Sequence, residues 1–336
     1  MFEPELRSLI QMKIDTKFKP LKSLGLIESL ALRLAEIQSH GSSAPVNLIH
    51  LDNPALLIFV ADHGVIEERI STSPVSMTKA MVSHIFSGSA AINCFLTHGT
   101  SLHVIDCGMK RTIETEDPGF IKQRLGDGTH NFAKMPAMRM STVKDGLKLG
   151  MSYAKKVINE GSRLLLLGEI GTGNTSSASA VLTALTGLPV TQTVCKGSGI
   201  SDKALKEKCA IIEQAVLRCK DCNPLTVLSE VGGFEIVQLV GAILAACEEN
   251  TPVVIDGFIT AVAALVATKI KPDATDCMVF AHEGDASAHR LVLELLNAQP
   301  ILRLNLYLGE GTGAALALPI IKAAAAFYNQ MESLNS

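Results

Sequence analysis

Two stretches of the chain place a glutamate beside a glycine-rich turn. Residues 163–182 read RLLLLGEIGTGNTSSASAVL and residues 306–317 read LYLGEGTGAALA, so an apolar run, Leu-Gly-Glu and Gly-Thr-Gly recur in the same order. The N–H groups of such a turn and the positive end of the following helix bind phosphate. A carboxylate at the end of a buried strand tends to have a raised pKa, which suits a general base. The pattern predicts a site where Glu169 and Glu310 lie beside a phosphate.

The first glycine loop differs from the two common nucleotide-binding motifs. It lacks the lysine of GxxxxGK(S/T), and GEIGTG does not have the glycine spacing of GxGxxG. Two alternatives stay open: each glutamate caps the next helix or pairs with a lysine, and the two loops resemble each other by chance. The loop suits a single phosphate, which we expect to be bound by the amides of Gly171, Thr172, Gly173 and Asn174.

Strand-like and helix-like segments alternate along the chain around these loops. Short apolar runs end in Gly, Asp or Glu and are separated by helix-like segments: ALLIFVADHG, SLHVIDCG, RLLLLGE, TPVVIDGF, DCMVFAHEG and LRLNLYLGEG. Strands that are apolar on both faces and separated by helices indicate a parallel α/β sheet, with ligands at the carboxyl ends of the strands. Residues 1–40 are predicted to form one or two amphipathic helices, 109–141 a long loop, and the C-terminal segment a helix interrupted near Pro319.

Composition narrows the range of functions. The chain has 336 residues, enough for about two domains or for one large α/β domain with an appendage. Its net charge is −3 and no Lys/Arg cluster stands out, which argues against a nucleic-acid partner. The N-terminus lacks the apolar run of a signal peptide, and no stretch reaches the ~20 apolar residues of a membrane span. We therefore expect a cytoplasmic protein with small-molecule partners and no membrane partner.

The cysteine pattern indicates neither a disulfide framework nor a metal centre. The 8 cysteines are scattered along the chain, which favours reduced thiols. Cys219 and Cys222 form one CxxC pair, but a single pair without a nearby histidine is weak evidence for zinc. We interpret it as an incidental pair at a helix end, and no metal site is predicted.

Several long motifs in a fixed order resemble the nicotinate-nucleotide:5,6-dimethylbenzimidazole phosphoribosyltransferase family. They are KPLKSLGLIESLALRLAEIQ, ADHGV, GDGTHNFAKMPAM, GEIGTGNTSSASA, VGGFEIVQLVGAILAA, PVVIDGFITAVAAL and LGEGTGAALALPI, and they cover almost the whole chain. The resemblance implies an α/β fold with a parallel Rossmann-like sheet flanked by helices. It also implies a large nucleotide- and base-binding domain at 45–310, a small helical domain from 1–44 plus 311–336, a homodimer and no cofactor.

The reaction implied by this resemblance explains why an acid lies beside a phosphate site. Family members move ribose 5-phosphate from nicotinate mononucleotide to 5,6-dimethylbenzimidazole or a related base, giving α-ribazole 5′-phosphate and nicotinate for the nucleotide loop of cobalamin. The leaving pyridinium already carries positive charge, so its departure needs neither an acid nor a metal. The attacking base must lose a proton, which a carboxylate near the anomeric carbon accepts.

The resemblance also implies roles for residues of this chain. The catalytic base falls on Glu310 of LGEGTGA, and the second acid on Glu169. The phosphate-contacting lysine falls on Lys208, although the local pattern alone indicates a solvent-facing helix residue. The sequence leaves open whether Asp256 in VVIDGF has a structural role in a turn or a functional role. The residues assigned to phosphate and nucleotide are Gly171, Thr172, Gly173, Asn174, Thr175, Gly197, Ser198, Lys208, Gly309 and Gly311.

The region of the base pocket departs from the family pattern. The pocket serine matches Ser73, but the glutamine that many members carry a few residues later is absent. Lys79, Ala80 and Met81 stand there instead. With Ser73 and Met81 as the predicted pocket residues, we expect a more apolar wall, and the identity of the natural base stays open. Lys22 also stands where the N-terminal motif usually has Gly.

Two other functions stay open on the sequence. One is a non-catalytic partner subunit that binds ribazole or nucleotide on the same fold. The retention of Glu310 and of both glycine loops argues against it. The other is hydrolysis of the nucleotide to ribose phosphate, which base-dependent release of nicotinate would distinguish from transfer.

Overall fold

The computed structural model describes residues 4–71, 74, 76–195 and 199–334. The main strands are β1 (Ala55–Ala61), β2 (Ser101–Gly108), β3 (Phe120–Lys122), β4 (Leu165–Ile170), β5 (Val253–Ile255) and β6 (Met278–Phe280). They form one parallel sheet in the order β3-β2-β1-β4-β5-β6. The central strands β1 and β4 are buried along their whole length, as unbroken apolar runs covered by helices require. The predicted parallel, Rossmann-like α/β fold is confirmed.

Two parts of the predicted strand pattern are wrong. The segment 109–141, predicted as a loop, contains β3, in which only Phe120 and Ile121 are apolar, so that no longer apolar run marks it. The run before Glu310 forms only the short strand β8 (Leu302–Arg303), which pairs with β7 (His282–Glu283) in a separate two-stranded sheet. The residues between β8 and the glycine turn are irregular, and Tyr307 is 89% exposed. Glu310 therefore does not follow a buried strand directly.

Helices pack on both faces of the sheet, and helices also form the two ends of the chain. In chain order, the helices before residue 200 are α1 (Pro4–Asp15), α2 (Leu26–Ser39), α3 (Ser76–Phe86), α4 (Ala91–Phe95), α5 (Met140–Asn159), α6 (Asn174–Thr186) and α7 (Val190–Thr193). The helices after residue 200 are α8 (Asp202–Val216), α9 (Pro224–Val231), α10 (Phe234–Glu248), α11 (Phe258–Ile270), α12 (Ser287–Leu295) and α13 (Thr312–Gln330). Helices α10 and α11 are apolar nearly all round and are buried accordingly. Within the described residues, no helix is long and apolar enough to cross a membrane.

The helices of the two chain ends pack against one another. Both α1 and α13 contact α2. The hydroxyl of Tyr328 on α13 donates to the carbonyl of Val46 at 2.8 Å, which connects α13 to the segment that follows α2. The N-terminal end of α13, however, lies against β4 of the sheet. The division into domains at 45–310 and 1–44 plus 311–336 stays a prediction.

The C-terminal helix is not interrupted at Pro319, contrary to the prediction. Helix α13 continues from Thr312 to Gln330 with Pro319 inside it. Proline removes one N–H donor and crowds the carbonyl of the preceding turn. The nearby residues on the core side of the helix are nevertheless fully buried, since Leu318 is 1% and Ile321 0% exposed. This packing holds the two halves of the helix in line.

Lys22 has a left-handed backbone, with φ at 59°, and an exposed side chain. We expect Lys22→Gly to raise the free energy of unfolding by ~0.5–1 kcal/mol, because the relief of left-handed strain exceeds the extra chain entropy that glycine loses. Lys22→Ala is the matched control, since it removes the same side chain but keeps Cβ, and it should not stabilise. Urea unfolding of the three proteins measures the difference. Equal stability of the Gly and Ala variants would contradict the role of backbone strain.

Candidate active site

The candidate site lies at the carboxyl edge of the sheet, between β1 and β4. From β1 the chain continues to β2 on one side of the sheet, whereas from β4 it continues to β5 on the other side. This divergence opens a crevice for ligands between the two strands. Strand β1 leads into Asp62 and His63, while Glu169 lies within the last two residues of β4. The N–H of His63 donates to the carbonyl of Thr172 at 3.2 Å, which ties the two strand ends together. This edge is the one that the sequence predicted for ligand binding.

The two glycine loops are in direct contact. The N–H of Glu310 donates to the carbonyl of Glu169 at 3.1 Å. A Cβ on Gly309 would lie 2.5 Å from Oε1 of Glu169, so only glycine lets the second loop cross this carboxyl group. The repeated motifs therefore meet at one place in the fold. This favours a shared ligand over a repeat that arose by chance.

Glu310 has an unusual backbone that its surroundings hold in place. Its φ is 66°, a left-handed conformation that is rare for a residue with a side chain, and Gly311 follows with φ at 76°. Asp256, which comes directly after β5, accepts a hydrogen bond from the N–H of Ala314 at 2.9 Å and from two other N–H groups at the start of α13. The carboxyl group of Asp256 thus holds the positive end of α13 behind Glu310. Of the two roles left open for Asp256, the structure favours the positional one.

Burial raises the pKa of three carboxyl groups that meet here. Glu169, Asp256 and Glu310 are 6%, 2% and 5% exposed. Burial, followed by the charges of Glu235 and Asp256, raises the pKa of Glu169 to about 8. Burial raises the pKa of Asp256 to about 7, and it also raises the pKa of Glu310. Burial and the like charges nearby therefore favour the protonated form of Glu169 near neutral pH.

Glu310 has the carboxylate with an open acceptor position. The N–H of Ile92, at the start of α4, lies against this carboxylate, but Oε2 has no hydrogen-bond partner among the described residues. Glu169 instead accepts a hydrogen bond from Nδ2 of Asn174, the first residue of α6. Neither glutamate pairs with a lysine in the described part of the chain, so that alternative is not supported. A buried, open carboxylate oxygen is costly, and it is suited to accept a substrate proton.

The loop after β4 offers fewer free amides than the sequence suggested. The N–H of Thr172 donates to Oγ1 of Thr78 at 3.1 Å, and the N–H of Thr175 donates to Oδ1 of Asn174 at 2.8 Å. These two bonds occupy donors that a phosphate would otherwise use. In the described part of the chain, no side chain or loop carbonyl accepts from the amides of Gly171, Gly173 and Asn174, which leaves these amides to a phosphate.

Lys208 is buried beside this loop, so the solvent-facing alternative is wrong. The residue is 1% exposed, and its Nζ donates to Oγ1 of Thr175 at 3.1 Å and to the carbonyl of Cys195 at 2.7 Å. Burial lowers the pKa of Lys208 to about 8. A buried ammonium group whose partners are neutral oxygens gains strongly from a nearby anion. Lys208 is thus placed to meet a phosphate.

The sequence patterns did not single out a buried network behind the loop. Nε2 of His63 lies 2.8 Å from Oε1 of Glu235, and both side chains are fully buried. Thr78 donates to Oδ1 of Asp62 at 2.6 Å and lies 3.0 Å from the hydroxyl of Thr172. The available signals were a polar pair at the end of β1 and an acid, Glu235, at the start of the apolar run that forms most of α10. These contacts fix the loop relative to β1.

The base-pocket region is only partly described. Ser73 lies outside the described residues, as do Gly197 and Ser198 of the predicted nucleotide loop. Met81 is half-buried on α3, three residues after Thr78, and therefore on the helix side that contacts the glycine loop. Among the residues that the structure describes, no group of three or more His, Cys, Asp or Glu side chains is arranged to hold a metal ion.

The raised pKa of Glu169 predicts how stability depends on pH. The ordinary pKa of 4.5 returns on unfolding, so the folded state keeps a proton that the unfolded state loses as the pH rises to about 8. The stabilisation by Glu169 is full below pH 4.5 and is lost towards pH 8, with a slope of up to ~1.4 kcal/mol per pH unit. Glu169→Gln stays neutral and should flatten this decline in urea unfolding. Glu294→Gln, an exposed control on α12, should not, and an unchanged slope in Glu169→Gln would contradict the assignment.

Comparisons with known proteins extend over the whole chain. A family model described as phosphoribosyltransferase (DBI_PRT) matches residues 1–336. The nicotinate-nucleotide–dimethylbenzimidazole phosphoribosyltransferase of Vibrio atlanticus is 47% identical over 100% of this chain and 98% of its own length. The protein of the same name from Vibrio campbellii is 49% identical over 98% of this chain and 97% of its own. The crystal structure of CobT from Thermus thermophilus matches with a TM-score of 0.91 and 37% identity, covering 99% of this chain and 98% of that one.

The fold and the site together define a class of protein. A Rossmann-like sheet with a glycine loop, a buried lysine and an open carboxylate at one edge is suited to group transfer from a phosphorylated substrate. The chain belongs to the phosphoribosyltransferase family that the nicotinate-nucleotide–dimethylbenzimidazole enzymes represent. The family predicted from the sequence motifs is confirmed.

Proposed function

We propose that this protein transfers ribose 5-phosphate from nicotinate mononucleotide to 5,6-dimethylbenzimidazole or a related base. The products are α-ribazole 5′-phosphate and nicotinate, for the nucleotide loop of cobalamin. The relatives named above and the family model support this activity. The structural observation that carries it is the open carboxylate oxygen of Glu310, a residue whose backbone N–H donates to the carbonyl of Glu169 beside the glycine loop.

The geometry supports a mechanism in which the protein binds the phosphate and removes one proton. The amides of Gly173 and Asn174 and the ammonium group of Lys208 bind the phosphate at the N-terminus of α6. A nitrogen of the incoming base attacks C1 of the ribose while the bond from C1 to nicotinate breaks, and the bonding electrons neutralise the pyridinium nitrogen. Oε2 of Glu310 accepts the proton of the base and stabilises the positive charge that develops on the ribose.

The two glutamates have different roles in this proposal. Burial raises the pKa of Glu169 to about 8, so this residue is mostly protonated near neutral pH and is not the base there. Its carboxyl group accepts from Asn174 and its carbonyl accepts from Glu310, so it supports the loop that carries the base. A neutral Glu169 also avoids charge repulsion with Glu310. Glu310 is then the residue that accepts the substrate proton.

We also propose a homodimer in the cytoplasm, with a large domain at 45–310 and a small helical domain from 1–44 and 311–336. The motif resemblance supports the dimer, and the packing of α1 and α13 on α2 supports the small domain. Light scattering on the purified chain tests the dimer, and a mass of one chain would contradict it. The comparisons give no support to a non-catalytic partner subunit.

One assay tests the proposed activity. The protein is mixed with nicotinate mononucleotide, with and without 5,6-dimethylbenzimidazole, and released nicotinate is quantified. Release that requires the base, with α-ribazole 5′-phosphate formed in equal amount, is the expected result. Base-independent release would show a hydrolase, and no release in either case would show a binding protein.

The base pocket should discriminate weakly between similar bases. A half-buried thioether on the loop-facing side of α3 adapts its shape, and an apolar wall discriminates a methyl group by only ~1–3 kcal/mol. We expect a modest preference for 5,6-dimethylbenzimidazole over benzimidazole in direct competition, and a changed ratio in Met81→Ala. Lys79→Ala, on an exposed position of the same helix, is the control and should keep the wild-type ratio. A preference above about a thousandfold would show that a polar contact sets specificity.

A further inference from the structure

Cys247 and Cys277 lie side by side at the edge of the sheet opposite the candidate active site. Cys247 is in the last turn of α10, and Cys277 ends a 3-10 helix directly before β6. Sγ of Cys247 is 3.7 Å from the carbonyl of Asp273, and Sγ of Cys277 is 3.9 Å from the carbonyl of Ile243 on α10. Each sulfur thus reaches the element that carries the other. The two thiols are close enough for Cys277 to change the pKa of Cys247.

The two thiols differ in access and in acidity. Both line a small cavity of about 40 Å³, where Cys247 is partly exposed and Cys277 is 3% exposed. The hydrogen bond from Cys277, assisted by Lys271, lowers the pKa of Cys247 to about 7, although burial and Asp273 oppose this. The same hydrogen bond and burial raise the pKa of Cys277. The charged or titratable groups around the pair are Arg33, His40, Lys271, Asp273 and Asp276.

This pair differs from the CxxC pair that stands out in the sequence. Burial raises the pKa of Cys219 to about 12, which makes that thiol inert near neutral pH. An accessible thiolate beside a buried, protonated thiol is instead the usual arrangement of an attacking and a resolving cysteine. The sequence does not reveal it, because the two cysteines lie on different elements.

We propose that Cys247 and Cys277 form a reversible dithiol–disulfide site that reacts with low-molecular-weight disulfides. The Cys247 thiolate attacks one sulfur of the reagent RSSR, the S–S bond of RSSR breaks, and RS⁻ leaves. Cys277 passes its proton through solvent to RS⁻ and attacks Sγ of Cys247, which expels the second RS⁻ and closes the protein disulfide. Two protein thiols are oxidised and one RSSR is reduced to two RSH. The second RS⁻ takes up the proton that the Cys247 thiol lost.

Oxidised glutathione and the full-length protein provide the test. Peptide mapping under non-reducing conditions should show a peptide that links Cys247 to Cys277, and reduction should reverse it. The rate of the first step should have its midpoint near pH 7, instead of the ~8.5 of an ordinary thiol. Cys277→Ala should raise this midpoint and trap Cys247 as a mixed disulfide. Cys94→Ala removes an exposed cysteine elsewhere, and it should change neither result.

Two results would overturn the proposal. One is a wild-type protein in which Cys247 stops at the mixed disulfide, because Cys277 would then not act as the resolving thiol. The other is a midpoint for Cys247 that is the same in wild type and in Cys277→Ala, because the contact between the thiols would then have no effect on reactivity. Far-ultraviolet circular dichroism of Cys277→Ala checks its fold, and Cys277→Ser is the smaller change if the alanine variant is unstable.

Discussion

Glu310→Gln should lower kcat by about 10²–10⁴, the usual contribution of a positioned general base, while the Kd for nicotinate mononucleotide stays unchanged. Oε2 of Glu310 is buried and has no hydrogen-bond partner among the described residues, so it is open to the proton of the incoming base. The amide of glutamine keeps the size of the side chain but cannot accept that proton. Turnover with saturating base and calorimetric binding of nicotinate mononucleotide separate the two effects.

Two matched variants show whether this effect belongs to Glu310. Glu294→Gln changes an exposed glutamate on α12 in the same way and should keep wild-type turnover. Glu169→Gln mimics the protonated form that we assign to Glu169, and it should retain more turnover than Glu310→Gln near neutral pH. Burial raises the pKa of Glu310, so activity should fall as acid protonates this base, and this fall should disappear from the residual activity of Glu310→Gln. Near-normal turnover of Glu310→Gln would transfer the role of base to another group.

Lys208→Ala should weaken binding of nicotinate mononucleotide by ~1.5–3 kcal/mol, which is about 10- to 150-fold in Kd. The lysine is buried among neutral oxygens of Thr175 and Cys195, so a bound phosphate would be its strongest partner. Burial lowers the pKa of Lys208 to about 8, so in the free protein the ammonium charge is lost as the pH rises through that value. Affinity of the wild type should therefore fall above about pH 8, and that fall should be absent from Lys208→Ala.

A ligand that lacks the phosphate is the most direct control for the role of Lys208. Nicotinate riboside, which lacks the phosphate, should bind poorly to the wild type and should be unaffected by the substitution. Lys206→Ala removes an exposed lysine from the same helix and should leave the affinity for nicotinate mononucleotide unchanged. Equal losses for nucleotide and nucleoside would show that Lys208 does not contact the phosphate. Lys208→Met keeps most of the buried volume and separates a lost charge from a cavity.

The sequence determined the fold class and the edge of the sheet where the site lies. A strand covered by helices on both faces must be apolar throughout, so runs such as ALLIFVA predicted β1 from residue types alone. In such strands polar residues occur only near the ends, so the position of Glu169 near the end of an apolar run predicted the location of the candidate site. The edge strand β3 carries no such signal, because only two of its residues are apolar, and it was missed. The run LRLNLYLGEG predicted a longer strand, of which only the two residues of β8 pair. The family followed from the order of whole motifs.

Only the tertiary structure decided how the parts of the site meet. Glu169 and Glu310 lie far apart along the chain, and their contact depends on α13 returning to β4. The local pattern around Lys208 is that of a surface helix, and α8 buries this lysine only because of how it packs beside α6. The pKa of Glu169 depends on Glu235 and Asp256, which come from other elements. Local sequence encodes propensity and periodicity, whereas burial and charge proximity depend on long-range packing that no short pattern specifies.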